Sequence, residues 1–111
     1  MLSFGAQRIF PYEDPVDMRK SFNGLGALVD MAFEGQLLTG AYFVFIYKRK
    51  TIVKILYWDS DGFAIWVKRL EQGTFKVLKD VKDHISRRDL TLILEGVEPK
   101  RMNLRYDRNN T

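Results

Sequence analysis

The chain has 111 residues, of which 46% are hydrophobic, and it carries a formal net charge of +4 and no cysteine. This length suits a single domain, and the apolar fraction is sufficient for a core. The cysteine count excludes disulfides and thiolate metal sites within this sequence. No apolar run approaches the roughly 20 residues of a membrane span, and the N-terminus lacks signal-peptide features, so we expect a cytoplasmic protein without membrane contact.

The N-terminal third predicts a short strand followed by an amphipathic helix. Residues 4–12 are a strand candidate that ends in an acidic turn containing proline. Apolar residues then recur with a helical period over residues 18–33, and Asp17 stands where an N-cap belongs. Gly24 and Gly26 fall inside this stripe, where each is expected to weaken the helix by about 1 kcal/mol relative to alanine.

The middle of the chain predicts consecutive strands, because the apolar period changes to two and short turns intervene. The expected strands cover residues 42–47, 52–58, 63–69 and 74–78. The second of them is apolar almost throughout, so both of its faces should be covered. After a loop over residues 81–85, Ser86 and Asp89 form a capping-box variant that predicts a shorter helix ending before Gly96.

Together these elements predict an α+β fold. We expect an antiparallel β-meander of four to five strands packed against the N-terminal amphipathic helix and the shorter C-terminal helix. Residues 1–97 form the single expected domain. Residues 98–111 are polar and basic, and we expect them to be a flexible tail.

The connection between the first two meander strands is strongly basic. Residues 47–54 contain four basic side chains and no acid, and their charge equals that of the whole chain. One interpretation is that solvated lysines guard a strand edge. The other is contact with nucleic-acid phosphates, since two antiparallel strands fit a DNA major groove. The predicted nucleic-acid-binding residues are Lys48, Arg49, Lys50, Lys54, Arg69, Arg87 and Arg88.

No pattern in the sequence indicates an active site. His84 is the only histidine and lies in a polar run, which is typical of a solvated residue. Asp59 and Asp61 precede a glycine between two strands, so turn formation is favoured over a Mg²⁺ site. We therefore expect no catalytic residue, metal, cofactor or small-molecule substrate.

Two stretches carry a recognisable pattern. The first is DMRKSFNGL at residues 17–25, and the second runs from residue 42 through the basic hairpin to WDSDGF at 58–63 and KRLEQGTF at 68–75. This combination resembles the accessory protein from the second open reading frame of the insertion sequence 66 family, a TnpB unrelated to the RNA-guided nuclease of that name. The residues that carry the pattern are Asp17, Arg19, Lys20, Trp58, Asp59, Gly62, Lys68, Arg69 and Gly73.

The resemblance implies a part in transposition beside a separate transposase, and it supplies no reaction. We therefore expect a bacterial, non-catalytic accessory protein that binds transposon-end DNA, assists the transposase, or does both. Two alternatives stay open. One is a small metal-dependent nuclease that uses Asp17, Asp59 and Asp61. The other is an RNA-binding regulator of the element, for which the candidates to stack on unpaired bases are Tyr47, Tyr57 and Trp66.

Overall fold

A computed structural model of the chain describes residues 7–76 and 84–95. The elements in chain order are β1 (Ile9–Pro11), α1 (Phe22–Ala32), β2 (Tyr42–Ile46), β3 (Ile52–Asp59), β4 (Gly62–Arg69) and α2 (Arg87–Leu94). Neither helix in this part of the chain is long and apolar enough to cross a membrane. The α+β class with two helices is confirmed.

The four strands form one mixed sheet in the order β1-β2-β3-β4. β2, β3 and β4 are antiparallel neighbours joined by short turns, as the period-two pattern predicts. β1 runs parallel to β2, with Ile9 opposite Tyr42. The prediction of a purely antiparallel meander was therefore wrong at this edge. The helix α1 separates β1 from β2 in the chain, and such a crossover returns the second strand in the same direction as the first.

The strand predicted at 74–78 is absent over residues 74–76, and residues 77–78 lie outside the described part of the chain. Phe75 is instead buried, and its N–H donates to the Lys50 carbonyl at 2.6 Å. The preceding Gly73 has a φ of 75°, which a residue with a β-carbon adopts only with strain. The chain therefore turns back over the hairpin and adds an aromatic side chain to the core where a further strand was expected.

The sheet separates two apolar cores, because successive side chains of a strand point to opposite faces. On one face, Leu25 of α1 packs into a cluster with Phe43 of β2. On the other, Leu90 of α2 packs into a cluster with Val44 of the same strand. We call these the α1 face and the α2 face. The prediction that β3 is covered on both sides is confirmed, since it contributes buried residues to both clusters.

The helix α1 begins four residues later than predicted. Ser21 is its N-cap residue, and Asp17 lies in the turn before it. Met18 is 57% exposed outside the helix and Phe22 is 47% exposed in its first turn, so the buried stripe starts only at Leu25. The helix starts late because of a tertiary contact. Val16 pairs with Tyr47, so the segment before the helix lies alongside the hairpin.

The predicted cap of α2 is confirmed. The Ser86 hydroxyl accepts a hydrogen bond from the Asp89 N–H at 3.0 Å. Just before it, Ile85 forms an antiparallel bridge with Ile9 on the outer side of β1. Several predictions lie outside the described residues: the start of the first strand at 4–6, the loop residues 81–83, Gly96 as a helix stop, the domain end at 97 and the tail 98–111.

Candidate nucleic-acid interface

The turn between β2 and β3 carries consecutive exposed cations. The Tyr47 N–H donates to the Ile52 carbonyl at 3.1 Å, and the Lys50 N–H donates to the Tyr47 carbonyl at 2.7 Å. These bonds close the hairpin with few residues, which leaves little room for the turn side chains to fold inward. The side chains of Lys48, Arg49 and Lys50 are accordingly exposed to solvent.

The segment 16–20 lies directly beside this turn. Val16 forms a parallel bridge with Tyr47, and the Lys48 N–H donates to the Val16 carbonyl at 3.3 Å. The Tyr47 hydroxyl and the Lys54 ammonium both donate to the Lys20 carbonyl oxygen, each at 3.0 Å. The two motifs that carry the family resemblance are thus joined into one surface.

Asp17 forms hydrogen bonds within the segment 16–20. Its carboxylate accepts a hydrogen bond from the Arg19 backbone N–H at 2.8 Å and two from the Arg19 guanidinium at 2.8 and 3.1 Å. The bonds from Arg19, with a smaller Coulombic contribution from Lys48, hold the pKa of the Asp17 carboxyl well below its ordinary value. Asp17 therefore stays ionised and orients a cation, which differs from the predicted N-cap role.

Lys54 has a different environment from the cations of the turn. Its side chain is half-buried on the α1 face, and the ammonium lies 5.3 Å from the centroid of the Tyr47 ring. Its hydrogen bond to the Lys20 carbonyl satisfies one of its donors within the protein. Lys54 thus ties the segment 16–20 to the hairpin, in addition to contributing positive charge.

Two further cations come from β4 and from the loop after it. Arg69 lies opposite Ile52, level with the turn, and forms an exposed ion pair with Glu71 at 3.2 Å. The exposed Lys76 follows Phe75, whose N–H is bonded to the turn at Lys50. We define the basic end of the sheet as the residues Arg19, Lys20, Lys48, Arg49, Lys50, Arg69 and Lys76.

Arg87 and Arg88 are placed elsewhere. They begin α2 just after Ile85, which pairs with Ile9 at the level of Tyr42, the first residue of β2. The turn starts five residues later, at Tyr47, which corresponds to about 17 Å along the strand. The structure therefore does not bring these two arginines to the basic end.

The three carboxylates of the nuclease alternative are also separated. Asp17 lies beside the hairpin turn, whereas Asp59 is the last residue of β3 and Asp61 lies in the β3–β4 turn. β3 runs from Ile52 to Asp59 and has eight residues, so its two ends lie about 23 Å apart along the strand. Within residues 7–76 and 84–95, no three acidic or histidine side chains are close enough to hold a metal ion together.

The aromatic candidates for stacking on bases are buried or partly buried against the apolar cores. Tyr47 is buried, and its hydroxyl is bonded to the Lys20 carbonyl. Tyr57 meets Tyr42 edge-on at 5.1 Å between ring centroids, and burial is the main cause that raises its pKa. Trp66 packs against the core of the α2 face. These three side chains give no support to base stacking.

Other pattern residues have roles in holding the fold. The Lys68 ammonium donates to the Leu94 carbonyl at the end of α2, at 2.8 Å. Trp58 packs edge-on against Phe63, with 5.0 Å between ring centroids. Gly62 lies opposite Asp59 and begins β4. These residues shape the sheet and its turns. Trp58 and Gly62 lie at the far end of β3 and β4 from the hairpin turn, whereas Lys68 is next to Arg69 and pairs with Val53, near that turn.

Sequence reasoning missed Lys76 as a candidate and treated Arg19 and Lys20 only as pattern residues. The basic character of both motifs was the available signal for Arg19 and Lys20, because two like-charged motifs in one small domain can form one surface. For Lys76 there was no such signal, since only the bond between Phe75 and Lys50 brings it to the turn.

Comparison with known proteins identifies the family of this chain. A family model described as IS66 Orf2 like protein matches residues 7–104, which include both motifs. The chain is 37% identical over 94 residues to the uncharacterized protein y4jC of Sinorhizobium fredii, covering 82% of this chain and 80% of that protein. No solved structure matches the chain. Since both motifs and all described residues lie inside the match, the chain belongs to the IS66 Orf2-like family of insertion-sequence proteins.

Proposed function

We propose that this protein is a non-catalytic accessory factor of transposition that contacts the phosphate backbone of element-end DNA through its basic end. Family membership supports the setting, an insertion sequence whose transposase is a separate protein. The observation that supports the DNA contact is that segment 16–20 lies against the hairpin turn. That contact gathers cations from separate parts of the chain on one surface.

The chemistry of the basic end suits phosphates. Guanidinium and ammonium groups bind phosphate oxygens by charge-assisted hydrogen bonds, and they displace the counterions of the duplex. The acids in contact with this surface, Asp17 and Glu71, each pair with one of its arginines, and both pairs are exposed. Exposed pairs are weak and leave the cations accessible to a ligand.

Binding to a duplex with the element's terminal repeats, measured at several salt concentrations, tests the proposal. If about four phosphates are neutralised, log K should fall with log salt concentration with a slope of roughly −3 to −4. Replacing Lys48, Arg49 and Lys50 together by alanine should make that slope shallower by about 2 to 3 and weaken binding at low salt.

A matched control removes the same charge elsewhere. Arg8→Ala, Arg87→Ala and Arg88→Ala together take away three cations near the start of β2, and binding should change less than in the turn variant. An equal loss would mean that net charge, or the predicted contact by Arg87 and Arg88, governs binding. If no duplex binds at low salt, DNA contact is excluded. Co-purification with the transposase after nuclease treatment would then favour a protein-only role.

The same duplex also tests the two alternative functions, DNA cleavage and RNA binding. A metal-dependent nuclease predicts Mg²⁺-dependent cleavage that Asp59→Ala abolishes, whereas we expect the duplex to remain intact with either protein. An RNA-binding regulator predicts that single-stranded message of the element competes better than the duplex. We expect it to compete less well, because Tyr47 is buried and both Tyr57 and Trp66 are partly buried against the core, which leaves little ring surface for stacking.

A further inference from the structure

β4 forms one of the two outer edges of the sheet. No segment within the described residues pairs with it, whereas the opposite edge, β1, is bridged by Ile85. The Leu70 N–H donates to the Thr51 carbonyl, and antiparallel pairing alternates along a strand. The even-numbered residues of β4 therefore bond to β3. The backbone groups that point outward belong to Phe63, Ile65, Val67 and Arg69.

This edge has an apolar side as well as open backbone groups. Ile65 packs with the core of the α1 face, so its alternate neighbours Phe63 and Val67 lie on that face too. Phe63 is 36% exposed and Val67 is 51% exposed. Residues 63–67 contain no charge and no proline, the devices by which proteins usually block pairing at a strand edge.

The sequence of β4 is complementary to itself about Ile65. If a second copy pairs antiparallel across a two-fold axis at Ile65, Phe63 lies opposite Val67 of the second copy. Arg69 then lies opposite Asp61 of the second copy, which joins opposite charges. If the axis moves one residue towards the N-terminus, Asp61 lies opposite an apolar side chain. If it moves one residue towards the C-terminus, Arg69 does. One register is therefore preferred over its neighbours.

We propose that two copies of this protein pair through β4, antiparallel about Ile65, so that their four-stranded sheets become one continuous sheet. The contact consists of backbone hydrogen bonds, the apolar pair Phe63–Val67 in both directions and two symmetric Arg69–Asp61 ion pairs. Arg69 exchanges its partner Glu71 for Asp61 at little cost, because the Arg69–Glu71 pair is exposed. The hairpin turn stays outside this contact, and Arg69 is the one residue of the basic end that takes part in it.

Cysteine cross-linking tests the register directly, because the native chain has no cysteine. Directly opposed residues of a hydrogen-bonded pair have Cα atoms about 5.5 Å apart, within the range of a disulfide. Ile65→Cys should therefore form a covalent dimer on mild oxidation. Val67→Cys is the matched control, since its two copies would lie about 13 Å apart and should not cross-link.

Sedimentation equilibrium without nucleic acid measures the association itself. Val67→Lys places a charge opposite Phe63 of the second copy and should weaken the dimer by roughly tenfold or more. Met31→Lys makes the same change at a side chain that is 84% exposed on α1, and the dimer should be unaffected. Far-UV circular dichroism of both variants checks that they fold.

Charge reversal supplies an independent readout. Arg69→Asp and Asp61→Arg should each weaken association by like-charge contact, and the two changes together should restore it. A wild-type monomer at every concentration overturns the proposal. So does a dimer that Val67→Lys leaves intact, equal cross-linking at positions 65 and 67, or assembly that requires added transposase. None of these outcomes depends on whether the basic end binds DNA.

Discussion

The carbonyl oxygen of Lys20 adds two side-chain hydrogen bonds to the bridge between Val16 and Tyr47, which joins two distant parts of the chain. It accepts hydrogen bonds from the Tyr47 hydroxyl and the Lys54 ammonium, which both belong to the hairpin. Because Lys20 is adjacent to Arg19, these bonds also set where the cations of segment 16–20 lie relative to the turn. The shape of the basic end therefore depends on residues that are themselves partly or fully covered.

The shared carbonyl predicts coupling between its two donors. Tyr47→Phe and Lys54→Met should each lower the free energy of unfolding by about 1 kcal/mol, since either donor can still satisfy the oxygen. The double variant should lose more than the sum, because the Lys20 carbonyl then has neither donor. Urea denaturation measures this, with Tyr12→Phe as a control that removes a hydroxyl from the same face. Additive losses would contradict the shared acceptor.

Asp17 offers a test by pH. Its ordinary pKa of 3.8 is lowered in the folded protein, so its bonds to Arg19 contribute stability above that pH. The contribution is lost only as the pH falls through the lower folded-state value. In a ¹³C NMR titration, the Asp17 carboxyl should have a midpoint well below 3.8, and Arg19→Gln should raise it towards that value. An unshifted midpoint in the wild type would contradict the arrangement.

At the scale of elements, α1 contains two glycines with different surroundings. A β-carbon at Gly24 would lie 3.2 Å from Cγ of Lys20, whereas one at Gly26 would have no neighbour within 4 Å. Gly24 thus leaves room for the stem of the side chain whose carbonyl joins the hairpin. The structure shows no packing reason for a glycine at Gly26. The helix period alone could not show that the two glycines differ in their surroundings.

Because their surroundings differ, we expect alanine at Gly24 and at Gly26 to change the free energy of unfolding by different amounts. Gly26→Ala should raise the free energy of unfolding by about 1 kcal/mol, the usual difference in helix propensity. Gly24→Ala should gain clearly less, because Lys20 must shift away from the new methyl group. Each variant is the control for the other in parallel urea denaturation. Equal gains would show that Lys20 moves freely and that Gly24 has no packing role.

At the scale of the whole molecule, the sheet joins two cores that could otherwise unfold separately. Leu25 of α1 and Leu90 of α2 are both fully buried, on opposite faces. β2 and β3 contribute side chains to both clusters, so the loss of one face exposes strands on which the other depends. This continuity indicates a single cooperative unit among the described residues.

Truncation of either core should therefore affect the same transition. Leu25→Ala and Leu90→Ala should each lower the free energy of unfolding by about 3 kcal/mol. In each variant, far-UV circular dichroism and tryptophan fluorescence should report one coincident urea transition, as for the wild type. Two separated transitions in Leu90→Ala would mean that α2 and its face unfold independently of the rest.

The sequence by itself determined β2 to β4, the N-cap of α2, the coverage of both faces of β3, and the family. These features depend on apolar period, turn residues and motifs, which are properties of near neighbours in the chain. Only the tertiary structure decided the direction of β1, the late start of α1, and the separation of Arg87 and Arg88 from the basic end. It also decided that segment 16–20 lies against the hairpin, because pairing between distant segments depends on the packing of the whole chain.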